Sequence, residues 1–247
     1  MPTLSFISKK KFMKLLLKLF VSMGFIFFVA GCKKDKTDTP QSTCKVTTIV
    51  SGGGSITVAY NNSGQISSVT IGDTVNTYSY SGSTITESIL IAGQFAQKII
   101  VTVNSAGLAT NVKSEYTVDG SVWDNQAYEY DGNQASKITY TTYLGGSADV
   151  ATFQWSDGNL VSITDGSDVT TFDYYTDKTS QPGDYLALSQ LIQGYEVFRS
   201  KNMVKSITDG TDMTNITYVF DNDGKVTSLQ GDDGTDQIAY GLSYQCN

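Results

Sequence analysis

The side chains able to do chemistry in this sequence are few. The chain has 247 residues, three cysteines and no histidine. Without histidine there is no Ser-His-Asp or Cys-His nucleophile, and no histidine-based metal site. The cysteines stand at Cys32, Cys44 and Cys246, and each is better explained by lipid attachment or a disulfide than by nucleophilic catalysis. Carboxylates remain. The glutamates beyond residue 43 are Glu87, Glu115 and Glu129, in strand-like stretches, and Glu196. Two carboxylates about 5–10 Å apart can form a glycosidase pair, but nothing in the spacing brings two of these together, and acids on strands are usually solvated. No catalytic residue is assigned, and the chain reads as a non-enzyme. The acidic stretches Asp221-Asn222-Asp223-Gly224 and Gly231 to Asp236 alternate oxygen ligands as a calcium loop does. Neither continues to the distant glutamate that completes such a loop, and Asp-Gly is ordinary turn chemistry. No metal and no cofactor is expected. Aromatic residues are the last candidates. Tyr78, Tyr80, Tyr128, Tyr130, Tyr140, Phe153 and Trp155 fall where neighbouring strands would align them, and Tyr128, Tyr130 and Trp155 are the candidates for stacking on a glycan. The competing reading is cross-strand packing that stabilises the sheet.

The elements that carry these residues are serial hairpins. Phe153 to Ile163 reads as an aromatic-x-aromatic strand end, a polar turn closed by Gly158, and a new strand from Leu160. The same pattern recurs at 56–69, 101–112, 128–138 and 217–229. Before each turn apolar and polar residues alternate, as in Ile56-Val58-Tyr60 and Ile216-Tyr218-Phe220, the mark of a half-buried strand. After Gly64, Gly158 and Gly224 an aliphatic residue stands at +2 and again at +5: Ile66 and Val69, Leu160 and Ile163, Val226 and Leu229. A spacing of three is out of phase for a flat strand and predicts a bulge or strong twist just past the turn. The turn glycines Gly82, Gly107, Gly132 and Gly158 recur at intervals that fit two strands and two turns, which argues for an array or meander.

The N-terminal segment is an address. Residues 1–31 hold five lysines and no acidic residue, and Leu19 to Ala30 form a short apolar stretch ending in Val29-Ala30-Gly31-Cys32. A basic start, an apolar core and small residues before a cleavage point make a secretory signal. The stretch is shorter than the roughly 18–20 residues that span a bilayer. Small residues before cysteine resemble a bacterial lipoprotein box, which implies that Cys32 is lipidated and becomes the N-terminus. Residues 32–43, opening with Lys33-Lys34-Asp35-Lys36, are too polar to bury a core and read as a tether. Residues 44–247 read as one β domain.

With those five lysines set aside from the chain's 17 Lys and Arg, 12 remain against 24 Asp and Glu, a net charge of −12. An acidic domain without a basic patch is a poor partner for nucleic acid. Fifteen tyrosines and only three prolines suit strands. Cys44 opens the first predicted strand and Cys246 closes the last. In an exported chain two remaining cysteines read as a disulfide, which would bring the first and last strands together.

One segment breaks the pattern. After Tyr175 the alternation fails, Pro182-Gly183 interrupts the chain, and Asp184 stands where a helix N-cap would. Leu188, Leu191, Ile192 and Tyr195 share a side at helical spacing, and Gly194 marks a stop. A short helix at 184–193 is expected, packed on the sheet or in a barrel mouth, as a lid over a cavity or as a plain crossover.

The hairpins, FDNDGKV most of all, resemble the tyrosine-aspartate repeats of secreted bacterial proteins. The whole layout resembles a group of uncharacterised Bacteroidetes lipoproteins with a porin-like fold. It shares their lipobox and lysine run, serial hairpins, one late helix, and a segment like Arg199-Ser200-Lys201-Asn202-Met203 leading into the last strands. YEYDGNQASKI departs from the pattern, with no aliphatic at +2. The resemblance implies an all-β antiparallel meander curled into a barrel or half-barrel, and an outer-membrane lipoprotein facing the periplasm or the cell surface. A lipid-facing barrel carries an outward apolar band. Here the second face of most strands carries Ser, Thr, Asn and Asp, so the domain is expected to be soluble and tethered through Cys32. The leading reading is a non-enzymatic envelope protein whose β domain binds a glycan or a protein partner. The alternatives are a carrier of lipid or small apolar ligand, gated by the helix, and a carbohydrate-active enzyme.

Overall fold

The computed structural model describes residues 44–246. The signal at 1–31, the tether at 32–43 and the lipidation residue Cys32 lie outside the described residues. Sixteen strands follow one another: β1 (Cys44–Ser51), β2 (Gly54–Tyr60), β3 (Ile66–Ile71), β4 (Thr74–Ser81), β5 (Thr84–Ile91), β6 (Gln94–Val103), β7 (Ala109–Glu115) and β8 (Trp123–Asp131) form the first half. β9 (Gln134–Thr142), β10 (Asp149–Ser156), β11 (Asn159–Asp165), β12 (Asp168–Thr179), β13 (Asn202–Asp209), β14 (Asp212–Phe220), β15 (Val226–Asp232) and β16 (Gln237–Cys246) form the second. One helix, α1 (Tyr185–Gln193), lies between β12 and β13. Each strand pairs antiparallel with its neighbours in sequence, and β1 pairs with β16 to close a barrel. Every strand edge is therefore satisfied within this segment, which makes it a self-contained folding unit. Cys44 and Cys246, register partners on β1 and β16, form a disulfide across 202 residues of chain.

The bulge that the +2 and +5 spacing predicts is present. In the β2–β3 ladder Ala59 pairs with Ser68 but Tyr60 pairs with Ile66, so Ser67 is skipped. The same slip skips Val161 in β11 and Thr227 in β15. One extra residue restores the inward phase, so Ile66 and Val69, or Val226 and Leu229, both face the interior. YEYDGNQASKI obeys the rule with a shifted turn: Tyr130 pairs with Ala135, Ser136 is skipped, and Ala135 and Ile138 are buried.

Each bulge ends the ladder near one mouth of the barrel and strands a carbonyl, which costs free energy unless a donor reaches it. A ring of aromatic side chains does so. Tyr60 donates to Val46 O at 2.7 Å, Tyr80 to Ile66 O at 2.8 Å and Tyr130 to Ala109 O at 2.6 Å. Trp155 Nε1 donates to Ala135 O at 2.7 Å, Tyr174 to Leu160 O at 2.6 Å and Tyr244 to Val226 O at 2.7 Å. Tyr218 Oη lies 2.9 Å from Val204 O. Each acceptor directly precedes a skipped residue. The aromatic-x-aromatic strand ends of the sequence are this ring.

The apolar core fills the same half of the barrel. Val46, Ile49, Val58, Val69, Leu160, Val204, Ile216 and Leu229 pack with Leu186 and Leu188 of α1. The outer wall is polar, with Thr57, Thr77, Ser79, Gln154, Thr171 and Ser243 exposed. The large exposed apolar side chains, such as Val50, Ile91, Leu144, Val169 and Met213, lie mostly at strand ends and turns.

Candidate functional site

The closed mouth is built from the 180–201 connection. Gly183 starts it with a φ of +97°, in space so tight that a Cβ would come within 2.6 Å of Tyr244 Oη and 2.8 Å of Val226 Cβ. Asp184 follows at the N-cap position, fully buried, but its side chain does not cap the helix. Asp184 Oδ1 accepts from Val204 N at 2.9 Å and lies 2.9 Å from Tyr218 Oη, riveting the start of α1 to β13 and β14. Burial pushes this carboxyl above its usual range, against the Val204 and Tyr218 hydrogen bonds. From there α1 crosses to β4, where its C-cap Gly194 lies against the Tyr78 ring. The returning chain is clamped by buried Gln190, whose Oε1 accepts from Val197 N at 2.6 Å and Phe198 N at 2.9 Å. It then hydrogen-bonds the β6–β7 end through Ala109 N to Glu196 O, 2.8 Å, and the β10–β11 turn through Lys201 N to Gly158 O, 2.9 Å. The insertion thus spans the mouth as a plug. The short helix expected at 184–193 is present, and it enters the barrel mouth, with Leu186, Leu188 and Gln190 buried.

Between this plug and β1–β3 runs a groove of about 460 Å³. Val46, Ile66, Leu186, Leu188, Leu191 and Phe198 supply its apolar surface, Tyr60 and Tyr195 its aromatic surface, and Lys45, Arg199 and Glu196 its charges. Lys45 Nζ donates to Gly64 O at 2.8 Å and sits over the Tyr60 ring, 5.2 Å from its centroid. Arg199 pairs with Glu196 at 2.5 Å. The arrangement presents an apolar slot with cationic groups at its edge, a shape and size suited to a small ligand.

Beyond the plug, the interior holds a buried carboxylate. Glu87 is only 2% exposed, on the inward face of β5 between Ile85 and Ile89. Its Oε1 accepts from Asn76 Nδ2 at 2.8 Å and Tyr78 Oη at 3.0 Å. Burial pushes the carboxyl up to about 7, the two hydrogen bonds pulling the other way. The remaining glutamates do not join it. Glu115 faces outward between Lys98 and Lys113, at 3.3 and 2.8 Å, Glu129 pairs with Lys137 at 2.5 Å, and Glu196 is on the plug. The acidic turns spend their oxygens locally: Asp221 Oδ1 accepts from Asp223 N and Lys225 N, and Asp233 Oδ1 from Thr235 N and Asp236 N.

The candidate glycan-stacking residues are placed differently from an outward platform. Tyr128, Tyr130 and Trp155 occupy inward register positions on β8 and β10 and form no exposed row. Tyr130 and Trp155 belong to the ring that satisfies bulge carbonyls, and Tyr128 donates to Gln126 Oε1 at 2.8 Å. Their inward direction follows from the apolar phase they share with Ala135 and Ile138. Glu87, which sequence reasoning named but read as a solvated strand acid, is buried. Its signal was available: in Ile85-Thr86-Glu87-Ser88-Ile89 the glutamate stands in phase with the isoleucines.

A closed antiparallel barrel with polar residues along its outer wall, an apolar interior half and a helix across one mouth defines the class: an all-β meander barrel plugged at one end. The fold is similar to a porin-like protein from Bacteroides uniformis ATCC 8492, with a TM-score of 0.59 and 18% identity over 85% of this chain and 97% of that one. It is similar also to a porin-like protein from Bacteroides vulgatus ATCC 8482, with a TM-score of 0.57 and 14% identity over 81% and 98%. No protein-family model matches the chain, and no curated protein matches it by sequence. The likeness is one of fold.

Proposed function

We propose that this chain is a non-enzymatic, lipid-anchored protein of the outer membrane that carries a small apolar or amphipathic ligand at its plugged mouth. The observation that supports the carrier reading is the groove of about 460 Å³ between α1 and β1–β3, with its apolar floor and its Lys45 and Arg199 edge. The anchor reading rests on Val29-Ala30-Gly31-Cys32 and the basic, apolar segment before it, and the porin-like fold of the Bacteroides structures agrees with an envelope address. The polar outer wall supports a barrel held at the membrane by lipid rather than embedded in it. The inward direction of Tyr128, Tyr130 and Trp155 speaks against a glycan platform, and the separation of the glutamates speaks against a carboxylate pair.

The test uses the self-contained barrel, residues 44–247, exported so that its disulfide can form, and native mass spectrometry after incubation with bacterial lipid extract. A retained acyl ligand, absent from the variant Ala187→Trp that fills the groove, is the expected result. Wild-type protein that captures no lipid, or an A187W variant that captures it equally well, would remove the carrier reading.

A further inference from the structure

The interior beyond the plug holds acidic side chains and, among the described residues, no basic one. Glu87 is buried there with Asn76, whose Oδ1 is also buried and meets no donor. On the other side of the lumen Asp124 stands opposite the buried, inward Ser114 and accepts from Tyr116 Oη, and Asp165 stands opposite the buried Ala151. The lysines of the neighbouring strands, Lys98, Lys113 and Lys137, sit on the outward phase and pair with Glu115 and Glu129. The other basic residues of the described chain belong to the plugged mouth and its surroundings. A buried carboxylate without a partner charge is costly, and its unfilled neighbour Asn76 adds to the cost.

Aromatic faces surround these acceptors. Tyr78 lies between Glu87 and the plug, since a Cβ on Gly194 would fall 2.1 Å from its ring. The next residue, Tyr195, therefore enters the lumen beside Glu87. Burial, with Glu87, Asp124 and Tyr140 nearby, pushes the Tyr195 hydroxyl well above its ordinary range. Tyr128, which lies by Tyr195 and Tyr140, adds another ring, and Tyr128, Tyr140 and Tyr195 are each only partly buried. The opposite mouth is lined by acids. Asp149, Asp168 and Asp212 occupy inward register positions there and are exposed, a field that draws cations in.

We propose that this lumen is a second binding site, for a small organic ammonium ion, with Glu87 and Asn76 accepting its N–H groups and Tyr78, Tyr128, Tyr140 and Tyr195 lining its walls. A carboxylate and an amide oxygen at the base of an aromatic enclosure can desolvate and hold such an ion. A bare metal ion fits less well, because no three acidic or cysteine side chains among the described residues converge as its ligands. The ion enters by the mouth away from α1, and Tyr195, which also lines the groove, lies between the two sites.

Titration calorimetry on the barrel with putrescine as probe, and the neutral 1,4-butanediol as its uncharged analogue, tests the site. Saturable putrescine binding is expected, with no binding of the diol. Glu87→Gln, a neutral isostere whose folding is checked by its melting curve, should weaken putrescine at least about tenfold, and Tyr195→Leu should weaken it as well. A187W, which fills only the groove, should bind as wild type does. No saturable putrescine binding, equal binding of the diol, or unchanged affinity in both E87Q and Y195L would overturn the proposal.

Discussion

Tyr80 Oη donates to the carbonyl oxygen of Ile66, fourteen residues earlier on the neighbouring strand, at 2.8 Å. Ile66 directly precedes the bulge residue Ser67, so its carbonyl has left the ladder when the hydroxyl reaches it. The relationship repeats around the mouth because the same bulge and aromatic recur in seven of the strand pairs, five of them hairpins closed by a glycine turn. It converts a backbone defect that would expose polar groups into a belt of specific bonds. In Tyr80→Phe the ring still packs while the Ile66 carbonyl loses its donor. The loss should be about 1–2 kcal/mol of unfolding free energy, read from the denaturant midpoint. Tyr143→Phe, at an exposed tyrosine near the opposite mouth, should change little, and equal effects at the two sites would count against the belt.

The belt shows what could be read from the chain before its structure. The aromatic-x-aromatic ends and the +2, +5 aliphatic spacing were legible because both are consequences of one bulge, repeated. The helix was legible from Asp184, the Leu188–Leu191–Ile192 spacing and Gly194. Closure was hinted at by Cys44 and Cys246, but strand number was not, since two-residue turns such as Gly72-Asp73, Ala92-Gly93 and Gly210-Thr211 fall outside the recurring turn pattern. Tyr128, Tyr130 and Trp155 were left between glycan stacking and cross-strand packing because strand alternation gives a face without saying which face is inside. Their hydrogen bonds to Gln126 and to the Ala109 and Ala135 carbonyls depend on strand register, which no local pattern encodes. Glu87 combined both problems: its phase was readable, its burial was not.

Glu87 should make stability depend on pH. Burial raises its carboxyl from 4.5 to about 7 in the folded protein, so the folded state binds the proton more tightly than the unfolded chain. The contribution is fully present below about pH 4.5 and is lost as pH rises through about 7, an effect on the order of 3 kcal/mol. Asp184 and Asp124 are raised by burial too and act with the same sign, so the informative quantity is the difference between wild type and Glu87→Gln. That difference should widen in favour of E87Q between pH 5 and pH 8 in parallel urea melts. A constant difference across this range would mean that Glu87 does not carry the titration.

Reduction should loosen one seam of the barrel. The Cys44–Cys246 bond closes a loop of about the whole domain, 202 residues apart in sequence, worth about 5 kcal/mol by chain entropy. The β1–β16 ladder keeps its register bonds without it, so Cys44→Ser with Cys246→Ser should remain folded with a lower melting temperature. Hydrogen exchange should quicken first in β1 and β16. Equal protection of these strands in both forms would show that the ladder alone holds the seam.

The plug is linked to the interior carboxylate through the contact between Gly194 and Tyr78. Gly194 takes φ +78° to end α1, and a Cβ there would lie 2.1 Å from Tyr78 Cε1. Gly194→Ala therefore combines the cost of a left-handed alanine, about 1 kcal/mol, with displacement of the Tyr78 ring. Moving the ring breaks its 3.0 Å bond to Glu87, so damage at the plug should be felt at the carboxylate. In a double-mutant cycle with Tyr78→Leu, whose smaller side chain makes room, the clash disappears and only the backbone term should remain. The coupling between the two positions should be about 1–2 kcal/mol in thermal or denaturant melts. Strictly additive effects would place Tyr78 clear of the plug, and would separate the closing of the mouth from the chemistry of the lumen.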